Sequence, residues 1–180
     1  MKIGLVSDTH NEIKNLEKAV GILFNEYSVD MLVHLGDDYD DTLVLDIDKN
    51  KLLSVPGVFS SYYYDPDIEK RIIKKIKNKR FLITHTPDSH QNDPPGLLRP
   101  EDLTRAGEID VVLHGHTHIP RVEKDVNGII WINPGHLRNN DRKAFPPTFA
   151  VVDIDDAYLD ASIIELNTGR VRLKERYEDT

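Results

Sequence analysis

Short apolar runs that stop abruptly at loops bearing carboxylates or histidines recur along this chain, and they set its predicted architecture. Ile3 to Val6 is an apolar run of strand length ending in Ser7-Asp8-Thr9-His10-Asn11. It reads as a buried strand feeding a polar loop at its carboxyl end. Ile13, Leu16, Val20, Leu23 and Phe24 then recur at helical spacing, so a helix is predicted over roughly 11 to 27, with Asn11 as its cap and Glu12 in its first turn. Met31-Leu32-Val33 repeats the strand pattern and runs through His34 and Leu35 into Gly36-Asp37-Asp38. Strand, helix and strand in that order make a βαβ unit, whose handed crossover leaves both strands parallel and both loops on one sheet edge. Asp8, His10 and Asp37 therefore converge.

Lys51 to Val55 predicts a third strand, ending in Pro56-Gly57-Val58-Phe59 before the aromatic-rich loop Ser60 to Pro66. Ile68 to Ile76 fits a helix or a strand, and Lys77-Asn78-Lys79 after it favours a hairpin. The lysines and arginines from Lys70 to Arg80 interleave with isoleucines and lack an aromatic platform. They read as one solvated face rather than a nucleic-acid surface. Arg80 to Thr84 is a further strand ending on His85, and the proline-rich stretch Thr86 to Pro100 predicts a loop over the site. Pro100-Glu101-Asp102 opens a short helix to about Ala106, and Val111 to Leu113 is the next strand. Asn127-Gly128, between Arg121 to Val126 and Ile129 to Ile132, signals a type I′ hairpin. Phe149 to Asp153, Ala161 to Leu166 and Val171 to Glu175 read as successive antiparallel strands. The second half is thus expected to be a β-meander facing the mixed sheet of the first.

Length and composition narrow the functional classes. With 180 residues and 39% hydrophobic content, the chain suits one domain over 1–180 with a substantial core. A formal charge of -8 gives no general attraction to nucleic acid or anionic membrane, so a phosphate-bearing substrate must be attracted locally. The absence of cysteine excludes disulfides, zinc ribbons and thiol nucleophiles, and leaves only N and O donors for metal. No apolar stretch approaches the roughly 20 residues of a membrane span, and the N-terminal run is too short for a signal peptide, so a cytoplasmic protein is expected.

His114-Gly115-His116-Thr117-His118 carries the sharpest chemical signal. In an extended or turn conformation, side chains two apart project to the same side, so His116 and His118 would aim at one region; the plainer reading is a solvated or hydrogen-bonded turn. The acidic run after Asp37 invites the same plain reading for Asp40 and Asp41, whereas Gly36 lets the backbone of Asp37 approach a ligand closely. Asp8, His10, Asp37, His85, His116 and His118 together supply two carboxylates and four imidazoles, each at the end of an apolar strand. A mixed O/N set without sulfur suits Mn²⁺, Fe, Co²⁺, Ni²⁺ or Zn²⁺ better than Ca²⁺ or Mg²⁺ alone. Six ligands exceed what one open catalytic ion needs, and the economical arrangement is two ions about 3.5 to 4 Å apart bridged by a carboxylate.

Asp8-Thr9-His10, Gly36-Asp37, His85, Gly115-His116-Thr117-His118 and Asn133-Pro134-Gly135 together resemble the motifs of the calcineurin-like metallophosphoesterase superfamily, in particular its small prokaryotic YfcE-like phosphodiesterase branch. The resemblance runs from Lys2 to about Asp153. It implies a four-layer α/β/β/α sandwich of two mixed β-sheets flanked by helices. It implies two divalent ions, manganese first among them: Asp8, His10 and His118 on the first, His85 and His116 on the second, and Asp37 bridging. The activity implied is hydrolysis of a small phosphodiester or phosphate ester by in-line attack of a metal-bound hydroxide, with no membrane partner and no stable nucleic-acid partner; a homo-oligomer is compatible with the sequence.

Two positions depart from the family pattern. Val58 stands where the family places an Asn ligand to the second ion. Three readings follow: water completes the site, Asp38 or Ser60 substitutes, or the enzyme is mononuclear. His136 follows Asn-Pro-Gly where the family has a small hydroxyl residue; it is a surface histidine or a catalytic one that contacts phosphate or protonates the leaving oxygen. His34 and His114 read as supporting or packing histidines. The substrate pocket would be lined by the 59 to 66 and 86 to 100 loops. The alternative to an enzyme is a metal-impaired scaffold of the same fold that acts as a protein-interaction module.

Overall fold

The computed structural model describes residues 1–178 and distributes them over two β-sheets. The first grows from the expected βαβ unit: β1 (Lys2–Val6), α1 (Ile13–Asn25) and β2 (Met31–His34). β1 and β2 run parallel in the register Ile3↔Met31 to Val6↔His34, and β3 (Leu52–Ser54) continues the sheet in parallel beyond β2. α1 buries Leu16, Ala19, Val20 and Leu23, the stripe read from the sequence. Its start differs from expectation. Asn11 has φ 64, so it belongs to the turn that brings the chain back from β1, and Glu12 takes the N-cap position without a side-chain cap.

β4 (Arg71–Ile76) and β5 (Lys79–Thr84) form the expected hairpin and open the second sheet. β6 (Val111–Leu113), β7 (Arg121–Lys124) and β8 (Ile130–Asn133) complete it in the order β4-β5-β6-β8-β7. The β7–β8 connection is not a type I′ turn, because Gly128 has φ 86 whereas Asn127 stays out of the left-handed region. The Asp125 carboxylate gathers the N–H groups of Asn127 and Ile129 at 2.8 and 3.0 Å. That selects a longer loop with a left-handed glycine at its end.

β9 (Thr148–Ile154), β10 (Tyr158–Glu165) and β11 (Val171–Glu178) are antiparallel neighbours, as read from the sequence. They do not face the first sheet, however; they extend it. β9 pairs antiparallel with β1, Ile3 opposite Val152, giving the order β11-β10-β9-β1-β2-β3. The reason lies in β9 itself: Phe149 to Val152 is buried on both faces, as an interior strand must be.

The layers follow from where the apolar side chains go. Ile3, Leu5, Val33, Ile83, Leu113 and Val152 fill the space between the sheets. Val6, Leu32 and Phe149 pack outward against α1, while Leu82 and Val112 pack outward against Leu103 of α2 (Pro100–Arg105). The result is the α/β/β/α sandwich, with helical layers of one helix each. Among the described residues, no helix is long and apolar enough to cross a membrane.

Candidate metal centre

The polar loops after β1, β2, β5 and β6 meet at one edge of the sandwich. Backbone bonds tie them together: Asp8 N–H donates to Gly36 O at 3.0 Å, and Gly115 N–H donates to His85 O at 3.0 Å. Asp8, His10, Asp37, His116 and His118 all have positive φ, between 49 and 85. Such backbone costs about 1–3 kcal/mol per residue and survives only where surrounding structure over-determines it, typically at functional sites. Of the extended and turn conformations expected for His116 and His118, the chain takes the turn. Their left-handed backbones turn the rings apart, His118 towards Asp8 and His10, His116 towards His85.

Two glycines make this approach possible. A Cβ on Gly115 would overlap Ser7 Oγ and lie 2.7 Å from Asp8 Oδ2. A Cβ on Gly36, whose φ is 92, would lie 2.9 Å from His85 Nδ1.

Asp8, His10 and His118 form one group whose donor atoms lie within 4.8 Å of one another, and Asp8, Asp37 and His85 form a second. His10 Nε2 is 3.0 Å from His118 Nε2, and His116 Nδ1 is 3.2 Å from His85 Nε2. All six candidates thus come together, in two adjoining halves linked by the carboxylates. The second nitrogens are also positioned. His85 Nδ1 lies 2.8 Å from Leu35 O, so that nitrogen carries the proton and Nε2 presents its lone pair to the centre. His118 Nδ1 lies 2.6 Å from Asp141 Oδ2, and carboxylate support of this kind is usual behind a metal-ligating histidine.

Charge sharpens the picture. Burial alone would raise the Asp8 carboxyl, but the His118 bond, the charges of His85 and His118, and the Ser7 hydroxyl hold it at about 2. Burial alone would lower His118, but Asp8 and Asp141 outweigh it and raise the imidazole to about 9. His116 is pushed down, by burial and by the neighbouring His85. An anionic pocket lined by oriented imidazole nitrogens fits a divalent cation.

The remaining histidines and acids sort differently from expectation. His34 is fully buried; its Nδ1 accepts the Gly36 N–H, and burial lowers it to about 4. His114 is equally buried and also lowered to about 4 by burial. His136 is not a surface histidine. It is 0% exposed, lies behind His118 at 5.3 Å between ring centroids with the rings tilted by 45°, and its Nδ1 accepts the Arg138 N–H. So enclosed, the ring packs against His118, and its Nε2 lies 3.9 Å from Asp141 Oδ1. Asp40 is exposed, but Asp41 is buried rather than solvated, and burial beside Asp38 and Asp40 raises it to about 6.

Val58 is buried and brings no side-chain donor. Neither proposed substitute occupies its role. Asp38 groups with His10 and Asp37 on the other half of the cluster, and the Ser60 hydroxyl accepts the Tyr62 N–H of its own turn. Two neighbours escaped the sequence reading: Asp141, and His90, whose ring lies 5.8 Å from that of His116. Both sit in proline-rich or irregular loops, where no periodicity announces which residues turn inward. Only a basic context at Arg138 precedes Asp141, whose side chain turns inward.

Residues 1–157 match the calcineurin-like phosphoesterase superfamily domain, and the chain belongs to that superfamily. Among curated relatives it is 33% identical over 149 residues to Phosphodiesterase MJ0936 of Methanocaldococcus jannaschii, covering 75% of this chain and 83% of that protein. In structure it is similar to a predicted phosphoesterase of Streptococcus pneumoniae, with TM-score 0.68, 19% identity and coverage of 99% and 97% of the two chains. It is also similar to Vps29 of Chaetomium thermophilum, with TM-score 0.72, 14% identity and coverage of 99% of each chain. The two structural likenesses speak to the fold alone.

Proposed function

We propose that the chain is a single-domain, divalent-metal-dependent phosphodiesterase with a dinuclear centre. The observation that carries the reading is the meeting of two carboxylates and four imidazoles in two adjoining halves, five of the six with a left-handed backbone beside close-packed glycines. Asp8, His10 and His118 would hold one ion, His85 and His116 the other, and Asp37 would bridge. Manganese is the first ion to try, with Ni²⁺, Fe, Co²⁺ and Zn²⁺ after it, and water would complete the half that Val58 leaves short. Bound there, the ions would supply a more acidic water and neutralise charge building up on phosphorus.

The protein's own residues do the rest. Leu35 O fixes the tautomer of His85, and Asp141 holds the orientation of the His118 ring. Arg138, Arg142 and Lys143 line a cavity of about 310 Å³ with His116 and His118. On a chain of net charge -8, this basic rim is the local attraction that an anionic substrate requires. Assignment to the diester class follows the curated relative, a phosphodiesterase.

Purified protein supplied with Mn²⁺ is expected to cleave bis(p-nitrophenyl) phosphate, and Asp37→Ala to abolish that cleavage. Inactivity with Mn²⁺, Ni²⁺, Co²⁺ and Zn²⁺ alike, in protein that holds no ion by elemental analysis, would favour the metal-impaired scaffold, which rests on Val58 alone.

A further inference from the structure

His90 and Phe59 stand beside the candidate centre without a role in it. The Phe59 ring is 70% exposed although it lies at the mouth of a polar site, 6.4 Å from the His116 ring. His90 meets the Phe59 ring edge-on at 5.5 Å and the His116 ring at 5.8 Å. His90 could be taken as a replacement ligand for the missing Asn. Its hydrogen bonding argues otherwise. The Asn92 N–H donates to His90 Nδ1 at 3.1 Å, so that nitrogen offers its lone pair and the ring proton of the neutral form sits on Nε2. Nε2–H is then a donor, suited to an ester or phosphoryl oxygen and unsuited to a cation.

The loop that carries His90 is held in place. His90 N–H donates to Asp93 Oδ2 at 3.1 Å, and Asp93 also takes the Arg71 guanidinium at 2.7 Å and the Tyr63 hydroxyl at 2.6 Å. Asn92 Nδ2 donates to Val58 O at 3.0 Å, locking this loop to the segment that bears Phe59. Donor and ring are therefore presented together, which is how a recognition site is preorganised.

We propose that Phe59 and His90 form a subsite for the organic group of the phosphoester: Phe59 packs against a flat aromatic or heteroaromatic ring, and His90 Nε2–H donates to the oxygen joining that group to phosphorus. The substrate class is then a ring-bearing phosphodiester rather than a simple alkyl one. The inference rests on the metal-dependent phosphodiesterase reading above.

The test compares kcat and KM for benzyl methyl phosphate and ethyl methyl phosphate, whose leaving alkoxides are alike and of which only the first bears a ring, with calorimetric binding of phenylphosphonate and methylphosphonate to the Mn²⁺-loaded protein as the readout independent of turnover. Stacking on an exposed ring is expected to give the wild type about a tenfold preference for the ring-bearing member of each pair. Phe59→Ala should erase that preference, chiefly through KM. His90→Ala should lower kcat about tenfold or more for both diesters while the ion content stays that of the wild type. Equal preference in wild type and Phe59→Ala, or unchanged kcat in His90→Ala, overturns the subsite. Loss of an ion in folded His90→Ala overturns the donor assignment and makes His90 a ligand. Failure of the wild type itself to hydrolyse either diester defeats the parent reading, and the variants distinguish the two cases.

Discussion

Substituting His34→Gln isolates one physical term of the site's architecture. His34 is fully buried between β2 and the Asp8 loop, accepting the Gly36 N–H at Nδ1, with Nε2 3.3 Å from Thr9 Oγ1. Burial, opposed by the charges of Asp8 and Asp37, lowers its imidazole from 6.5 to about 4. In the unfolded chain the same group titrates near its ordinary value. Between those two values the unfolded state binds more protons than the folded one, so stability is complete above about pH 6.5 and falls as the pH drops towards the folded value. Two pH units of that window correspond to about 3 kcal/mol. The assay is urea unfolding of the ion-free protein at pH 7.0 and 4.5. Glutamine does not titrate, and its amide can satisfy the same two neighbours. The variant should therefore lose about 3 kcal/mol less than the wild type between the two pH values, whatever its stability at pH 7.0. Parallel losses in the two proteins would refute the assignment of His34 as a buried neutral imidazole.

Two further outcomes bear on the centre. Asp141→Asn removes the carboxylate behind His118, and about a 10- to 100-fold net loss of affinity for one ion is expected, with the other retained, by calorimetric Mn²⁺ titration; unchanged affinity at both sites would contradict a net supporting role for Asp141. Gly115→Ala places a methyl group against Ser7 and the Asp8 carboxylate, so the unfolding free energy should fall by about 1–3 kcal/mol, together with loss of ion binding. An alanine variant with normal stability and normal ion content would mean that the glycine is not needed for this close approach.

Much of the site was readable because it is punctuated by strands. An apolar run that ends in Asp8, Asp37, His85 or His114 announces both the strand and the edge where its loop emerges, and the β1-α1-β2 crossover dictates that two such edges coincide. What the local pattern could not convey was sheet membership: β9 is apolar throughout, but only tertiary packing shows that it pairs with β1 rather than opposing it. Nor does sequence spacing reveal that His116 and His118 diverge, because the divergence depends on left-handed backbone at both. His136 and Asp141 follow the same logic. Each lies in the irregular stretch between β8 and β9, where burial is decided by what the loop packs against.

The most direct measurement for the central claim is a titration of ion-free protein with Mn²⁺, following hydrolysis of bis(p-nitrophenyl) phosphate. The dinuclear reading predicts that the rate climbs from zero and reaches its plateau at two equivalents of ion per chain. A plateau at one equivalent, or no hydrolysis at any Mn²⁺ concentration, would contradict it.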